Sequence, residues 1–167
     1  MKTIKRRRKE SKTNYLKRLK LLKSNSPRIS FRRTNRYLIA QYIVSKEAQD
    51  EVIIGMDSKK LIKYGWPEKA GGSLKSIPAA YLLGFLIGKR INDKKLKKPI
   101  LDLGMIKTIH RSRVYAFIEG LIDAGLDIKC DKDFFPSKER IEGKHMKNKI
   151  PFEEIKSKIE KEHGKKE

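Results

Sequence analysis

The residues of this 167-residue chain whose types could do chemistry fall into two unequal groups. The smaller group is the one catalysis would need. Asp57, Asp102, Asp123 and Asp127 are the carboxylates that a metal-dependent nuclease would have to gather around a metal ion. No acidic cluster or helper histidine stands beside them, so capping and ion pairing account for them better. The three histidines, His110, His145 and His163, have no partner at ligand spacing, and Cys130 is the single cysteine. A zinc site or a thiol nucleophile therefore has little support. No Walker or dinucleotide glycine motif occurs. The Gly71-Gly72 pair could cradle a phosphate, but loop glycines usually serve the loop. The expectation is no catalytic residue, no metal, no cofactor and no small-molecule substrate.

The larger group is cationic. The chain holds 42 Lys+Arg against 20 Asp+Glu, a formal charge of +22 with a pI near 10.1. Residues 1–37 alone hold 15 lysines and arginines and one acid, Glu10. Such a density opposes compaction unless a polyanion neutralises it. Arg6, Arg7, Arg8, Lys12, Lys17, Arg18, Lys20 and Lys23 can track a phosphate backbone. Just beyond them, Arg28, Arg32, Arg33, Asn35 and Arg36 alternate with Phe31 and Tyr37, and Tyr15 precedes them. Cations, hydrogen-bonding amides and aromatic planes together are what recognition of folded RNA uses. Arg28, Arg32 and Arg36 are expected to face RNA. Ile29 is expected to point inward, and Phe31 could belong to either side.

These side chains need elements to carry them. Residues 1–13 lack apolar periodicity and are expected to be disordered without a partner. Tyr15, Leu19 and Leu22 recur at helical spacing, which predicts a short basic helix from Asn14 to about Ser24. After the Ser26-Pro27 turn, the runs Arg28–Arg33, Tyr37–Ser45 and Val52–Met56 read as an antiparallel meander, with a loop at 34–36 and a polar turn at 46–50. Ser58 is expected to cap a short helix over 59–64. A buried helix follows over 77–91, with Pro78 in its first turn and Gly84 and Gly88 inviting a close neighbour. Residues 99–103 read as a short strand, central because it lacks alternation. Ser112 is expected to cap a helix carrying Val114, Phe117, Ile118, Leu121 and Ile122, closed by Gly125. A short extended piece at 127–130, a turn and helix near 134–143 and a charged helix over 151–162 complete the chain.

The order predicts an α/β fold: a mixed, mainly antiparallel sheet with helices packed on it. The expected divisions are a basic N-terminal arm and short helix (1–25), an α/β core (26–130) and a C-terminal helical extension (131–167). The charged N-terminus offers no signal peptide. The apolar run 81–87 is far shorter than the roughly 18–20 residues of a membrane span. A lone cysteine suits a reducing compartment. The cytoplasm is the expected location, with no membrane partner.

At this point the sequence resembles a family. The stretch KTNYLKRLKLLKSNSPRISFRRTNRYLIAQ, followed by SKKLIKYGW, SIPAAYLLGFLIGKR, ILDLG, SRVYAFIEGLIDAGLDI and FPSKERIEGKH, resembles the archaeal and eukaryotic type of the L eighteen family of large-subunit ribosomal proteins. The resemblance covers roughly residues 5–147 and lies in the order and spacing of the motifs. It implies a ribonuclease-H-like motif in the core, and a protein of the central protuberance that clamps 5S rRNA, touches the large-subunit rRNA and lies near the L five family protein. It also implies RNA contacts at Lys12, Asn14, Tyr15, Arg18 and Lys20, at Arg28, Arg32, Asn35 and Tyr37, at Lys59 and Lys60, and at Ser112 and Arg113. Arg111 departs from the family pattern, which has glycine there, and is a candidate extra phosphate contact. Residues 148–167 match the family poorly. Composition alone leaves a sequence-blind, histone-like nucleic-acid compactor open, and the strand carboxylates leave a weaker nuclease alternative.

Overall fold

The computed structural model describes residues 3–47, 49–67, 73–146 and 149–163. Its elements run α1 (Arg6–Lys9), α2 (Tyr15–Lys23), β1 (Arg28–Arg33), β2 (Leu38–Lys46), β3 (Gln49–Asp57), a 3-10 segment Ser58–Tyr64, and α3 (Ile77–Asp93). Then come β4 (Ile100–Asp102), α4 (Arg113–Asp123), a 3-10 turn Lys132–Phe134, α5 (Lys138–Glu142) and α6 (Phe152–His163). The strands form one mixed sheet in the order β3-β2-β1-β4. β1 and β3 lie antiparallel to β2, and β4 lies parallel to β1. The fold is thus the expected α/β sheet with helices packed on it.

Alternation sorts the sheet into two faces. Ile29, Phe31, Leu38, Ala40, Tyr42, Ile54 and Met56 are buried against the helices. Phe31 stacks on Phe117 of α4 with ring centroids 4.5 Å apart. The opposite face of β1 carries Arg28, Ser30 and Arg32, beside Asp102 of β4, which pairs with Ser30.

α3 is buried along nearly its whole length because α4 lies directly against it. Small residues make that approach possible. A Cβ on Gly84 would stand 2.2 Å from the Phe117 carbonyl oxygen, and one on Gly120 would stand 2.2 Å from that of Tyr81. The Ser76 hydroxyl caps α3 by accepting from the Ala79 N–H. α4 ends as expected: Gly125 sits at φ +102 while its N–H and that of Leu126 donate to Ile122 and Leu121.

Several expectations are corrected. Residues 6–9 form one helical turn, with Arg7 Nε donating to the Thr13 hydroxyl at 2.9 Å. β4 lies at the sheet edge, not its centre; its apolar look came from Ile100, which is 36% exposed. The polar turn at 46–50 is shorter because the β2–β3 ladder runs on to Lys46↔Gln49. Ser58 does not cap. Its buried hydroxyl accepts from Leu38 N–H and donates to the Leu74 carbonyl, stitching β2 to the segment before α3. Ser112 sits at the cap position of α4, but its side chain makes no capping bond. Residues 127–130 form no strand. The Gly71-Gly72 pair lies outside the described residues.

The C-terminal helix is not an appendage. Ile155 and Ile159 are fully buried and Phe152 nearly so, packed on α3. Each large apolar side chain so covered contributes about 1.5–3 kcal/mol. Lys156 Nζ also donates to the Tyr81 hydroxyl at 2.9 Å.

Candidate nucleic-acid interface

Helix α2 positions the first group of cations. Its N-cap is Asn14, whose Oδ1 accepts from the Lys17 N–H at 3.1 Å, so this residue, expected to touch RNA, also starts the helix. The helix buries no residue fully, and Leu16 and Leu19 are exposed. It is tied to the sheet by polar contacts. Arg18 donates to Asp50 Oδ2 at 3.0 Å and Lys17 Nζ to the Gly104 carbonyl at 3.3 Å. Tyr15 is half-buried with Lys5 Nζ 4.6 Å from its ring centroid. Lys20 and Lys23 are exposed with no acid within 4.0 Å among the described residues. In the arm, Arg6 and Lys12 both approach Glu10, at 3.7 and 2.8 Å, while Arg8 has no such partner among the described residues.

Arg28 and Phe31 are the two residues the structure withdraws from the surface. Arg28 is 2% exposed. It reaches Asp50 Oδ1 at 2.6 Å and Ser45 Oγ at 3.0 Å, with Asp102 Oδ2 at 3.9 Å. It is a bracket joining β1 to the β2–β3 hairpin, because a buried guanidinium needs carboxylates around it. Burial alone would raise the Asp50 pKa, but the Ser45 hydrogen bond and the Arg28 and Arg18 charges hold it below the usual value. Phe31 is 1% exposed and spent on the core, so it has no face free for a base.

Arg32 keeps one side open. Its guanidinium donates to the Asp102 carbonyl at 2.8 Å and carboxylate at 3.0 Å, yet the side chain remains 41% exposed. Asp102, a nuclease candidate by sequence, is occupied as an acceptor for Arg32 and for the Gly104 N–H at 2.9 Å. Asp123 accepts from the Tyr81 hydroxyl and Asp127 from Lys98, so these carboxylates do not converge. Between α2 and the sheet, Arg7, Lys12, Lys17, Arg18, Arg28 and Arg32 line a cleft of about 140 Å³. Sequence reasoning missed Asp50 as the anion that organises this corner; its pairing with Ser45 across the tight turn was the available signal.

The β1–β2 loop presents a second set. Asn35 and Arg36 are exposed, and the Asn35 carbonyl accepts from Lys75 Nζ at 2.8 Å. Tyr37 is half-buried with Lys59 Nζ 4.4 Å from its ring centroid. Lys60 donates to the Gly55 carbonyl at 2.9 Å. The remaining predicted residues lie elsewhere. Arg33 points to the helix side of β1, where Arg111, Ser112 and Arg113 line a separate cleft with it.

Among the described residues no three His, Cys, Asp or Glu side chains gather as a metal site, and no helix is long and apolar enough to cross a membrane. A four-stranded α/β core with cation-lined clefts and an exposed basic helix is the build of a protein that faces a polyanion. The comparisons give that build a family. A profile described as ribosomal large subunit proteins 60S L5 and 50S L18 matches residues 1–99. The large ribosomal subunit protein uL18 of Korarchaeum cryptofilum is 48% identical over 141 residues, covering 84% of this chain and 70% of its own. The protein of the same name from Caldivirga maquilingensis is 39% identical over 142 residues, covering 84% and 67%. This chain belongs to that family of large-subunit ribosomal proteins.

Proposed function

We propose that this chain, a structural constituent of the large ribosomal subunit, binds 5S rRNA and attaches it to the large-subunit rRNA in the central protuberance, beside the L five family protein. Its role there is binding, with no reaction step of its own, and its location is the ribosome in the cytoplasm. The observation that carries the reading is a set of exposed cations left without acid partners among the described residues: Arg8 of α1, Lys20 and Lys23 of α2, and Arg36 of the β1–β2 loop. Ion pairs elsewhere in the fold consume cations for structure, as at Arg28; these remain for phosphates. Arg7, Lys12, Lys17, Arg18 and Arg32 line the cleft between α2 and the sheet, Arg6 adds an exposed charge in the arm, and Tyr15, Asn35, Tyr37, Lys59 and Lys60 supply planes and hydrogen-bonding groups suited to folded RNA. In this proposal residues 1–25 are the RNA-gripping arm, 26–130 the recognition core, and 131–167 a brace on it.

The test is a gel-shift with 5S rRNA from the same organism, with transfer RNA as competitor, in near-physiological salt with magnesium. Retention of the 5S complex against excess transfer RNA is the expected result. Equal competition would replace specific recognition with sequence-blind binding of the compactor type. Cleavage of either RNA would point to the nuclease alternative.

A further inference from the structure

Nine of the chain's 20 acidic residues lie in its last 37 positions, whereas its first 37 hold one. The C-terminal helices bring several of them to a cleft of about 400 Å³ between the end of α5 and the start of α6. Ile150, Pro151 and Phe152 give it an apolar lining, and Glu142, Glu153 and Glu154 an acidic one. α5 and α6 pack on α3, which in turn packs on β2 and β3. α3 and the sheet therefore stand between this cleft and the outer face of β1, where Arg28 and Arg32 lie. None of the residues assigned above to RNA lines it.

The local charge runs against that of the molecule. Glu142 is paired with Lys144 at 2.7 Å. Glu153 and Glu154 are exposed, and among the described residues neither has a cation within 4.0 Å. Lys144, at the same cleft, registers the field: the hydrogen bond and charge of Glu142 lift its pKa above the ordinary value, and Glu139 and Glu153 add to the rise. Arg113 shows the reverse on the α4 side, where burial and then the charge of Arg33 lower its pKa. Glu153 and Glu154 also favour the start of α6, since carboxylates complement the positive end of a helix. That role leaves their oxygens open to solvent.

A phosphate backbone is repelled by unpaired carboxylates at the mouth. A purely apolar partner would strip those carboxylates of water and offer nothing in return. Both linings are satisfied by a polypeptide whose lysines or arginines meet Glu153 and Glu154 while one apolar side chain enters beside Ile150 and Phe152. We propose that this cleft docks a cationic segment of another protein, anchored by a single apolar side chain. The proposal does not rest on the RNA reading, because it uses a different face and the opposite charge. A protein held here and an RNA held on the sheet face leave each other's contacts untouched.

The test is backbone-amide NMR of the full chain at near-physiological salt, where charges beyond about 8 Å are screened and the chain's overall repulsion of a cation is small. Three blocked heptapeptides are titrated, each ended by glycines: four lysines around a central leucine, four lysines around a central alanine, and four glutamates around a central leucine. The lysine–leucine peptide is expected to shift the amides of residues 142–144 and 152–154 saturably. The alanine peptide should bind about five-fold more weakly, having lost the anchor, and the glutamate peptide should leave these amides unmoved. Glu153→Gln/Glu154→Gln should weaken the lysine–leucine peptide about five-fold, as the loss of two exposed ion pairs would. If that variant does not fold, the three peptides on the native chain still decide the matter. Equal binding of the leucine and alanine peptides, binding of the glutamate peptide, or no response to any of them would overturn the proposal. A uridine tetranucleotide that shifted the same amides would give the cleft to RNA and overturn it as well. Shifts that grow with chain concentration in the absence of peptide would give it to a second copy, with the same consequence.

Discussion

Cations that look alike in sequence divide sharply by what surrounds them. Arg28 and Arg36 are both arginines of the hairpin, yet one is a structural bracket and the other a free surface charge. Removing Arg28 would leave Arg18 as the remaining cation on Asp50 and Arg32 as the remaining cation on Asp102 among the described residues, and would empty a buried space. Arg28→Ala should therefore lower unfolding free energy by about 2 kcal/mol, as expected when a buried, hydrogen-bonded charge loses its partner. Arg36→Ala should change stability by less than about 0.5 kcal/mol, as exposed substitutions usually do, while weakening RNA binding. Urea unfolding and RNA titration of both variants check this; an Arg28→Ala chain of unchanged stability would refute the bracket. Arg32 lies between the two cases, paired to Asp102 but open on one side, so its substitution should register in both measurements. The sequence could not separate these roles. Arg28, Ser30 and Arg32 share one period-two face, and which of them is covered depends on Asp50 and Asp102, brought in from other strands.

Elements were most legible where a periodic pattern and its stop signal coincide. The apolar spacing of α4 followed by Gly125, and that of Phe152, Ile155 and Ile159 in α6, gave the helices and their buried faces correctly. β4 was misplaced because three residues carry too little pattern to tell an edge from a centre, and the parallel partner is remote in sequence. What α6 packs against was equally hidden, since an amphipathic face states that a partner exists and not which one. The α3–α4 contact falls between these cases. Gly84 and Gly88, four apart on a buried helix, announced a close neighbour without naming it. In the structure the neighbour's backbone is in the way of any side chain at Gly84. Gly84→Ala should cost about 3 kcal/mol, the upper range for overpacking a filled core, because the Phe117 carbonyl cannot yield without moving α4. Gly55→Ala, whose Cβ would meet only Val52 Cγ1 at 3.7 Å, should be nearly neutral. Unfolding midpoints of the two variants test the contrast, and equal midpoints would mean that α3 and α4 separate at little cost.

At the scale of the whole molecule, a chain of charge +22 has to hold together before its polyanion arrives. It does so with one apolar core and with a few carboxylates placed where elements meet. One of these is Glu119 of α4. Burial pushes its pKa up first, Asp123 on the same helix adds to the rise, and Lys138 of α5 and Lys156 of α6 offset part of it, leaving it at about 7. Its Oε2 is buried with no hydrogen-bond partner. Tyr81 of α3, which donates to Asp123 and accepts from Lys156, closes the cluster, so α3, α4, α5 and α6 all meet there. A carboxyl whose pKa is higher folded than unfolded favours the folded state in its protonated form. The associated stability is fully present below the unfolded value of about 4.5, and it is lost as pH rises through about 7. Asp50 acts in the opposite sense: its depressed pKa gives stability that is present above the ordinary carboxylate range and lost as pH falls below it. The two together predict greatest stability on the mildly acidic side of neutrality. Glu119→Gln isolates the first term, since glutamine keeps the shape without the charge. The difference in unfolding midpoint between Glu119→Gln and the native chain should be small and constant below pH 5, then grow in favour of the variant up to pH 8. A difference independent of pH would show that the Glu119 carboxyl has the same pKa in the folded and unfolded chain, and would remove it as a source of the predicted loss of stability above neutrality.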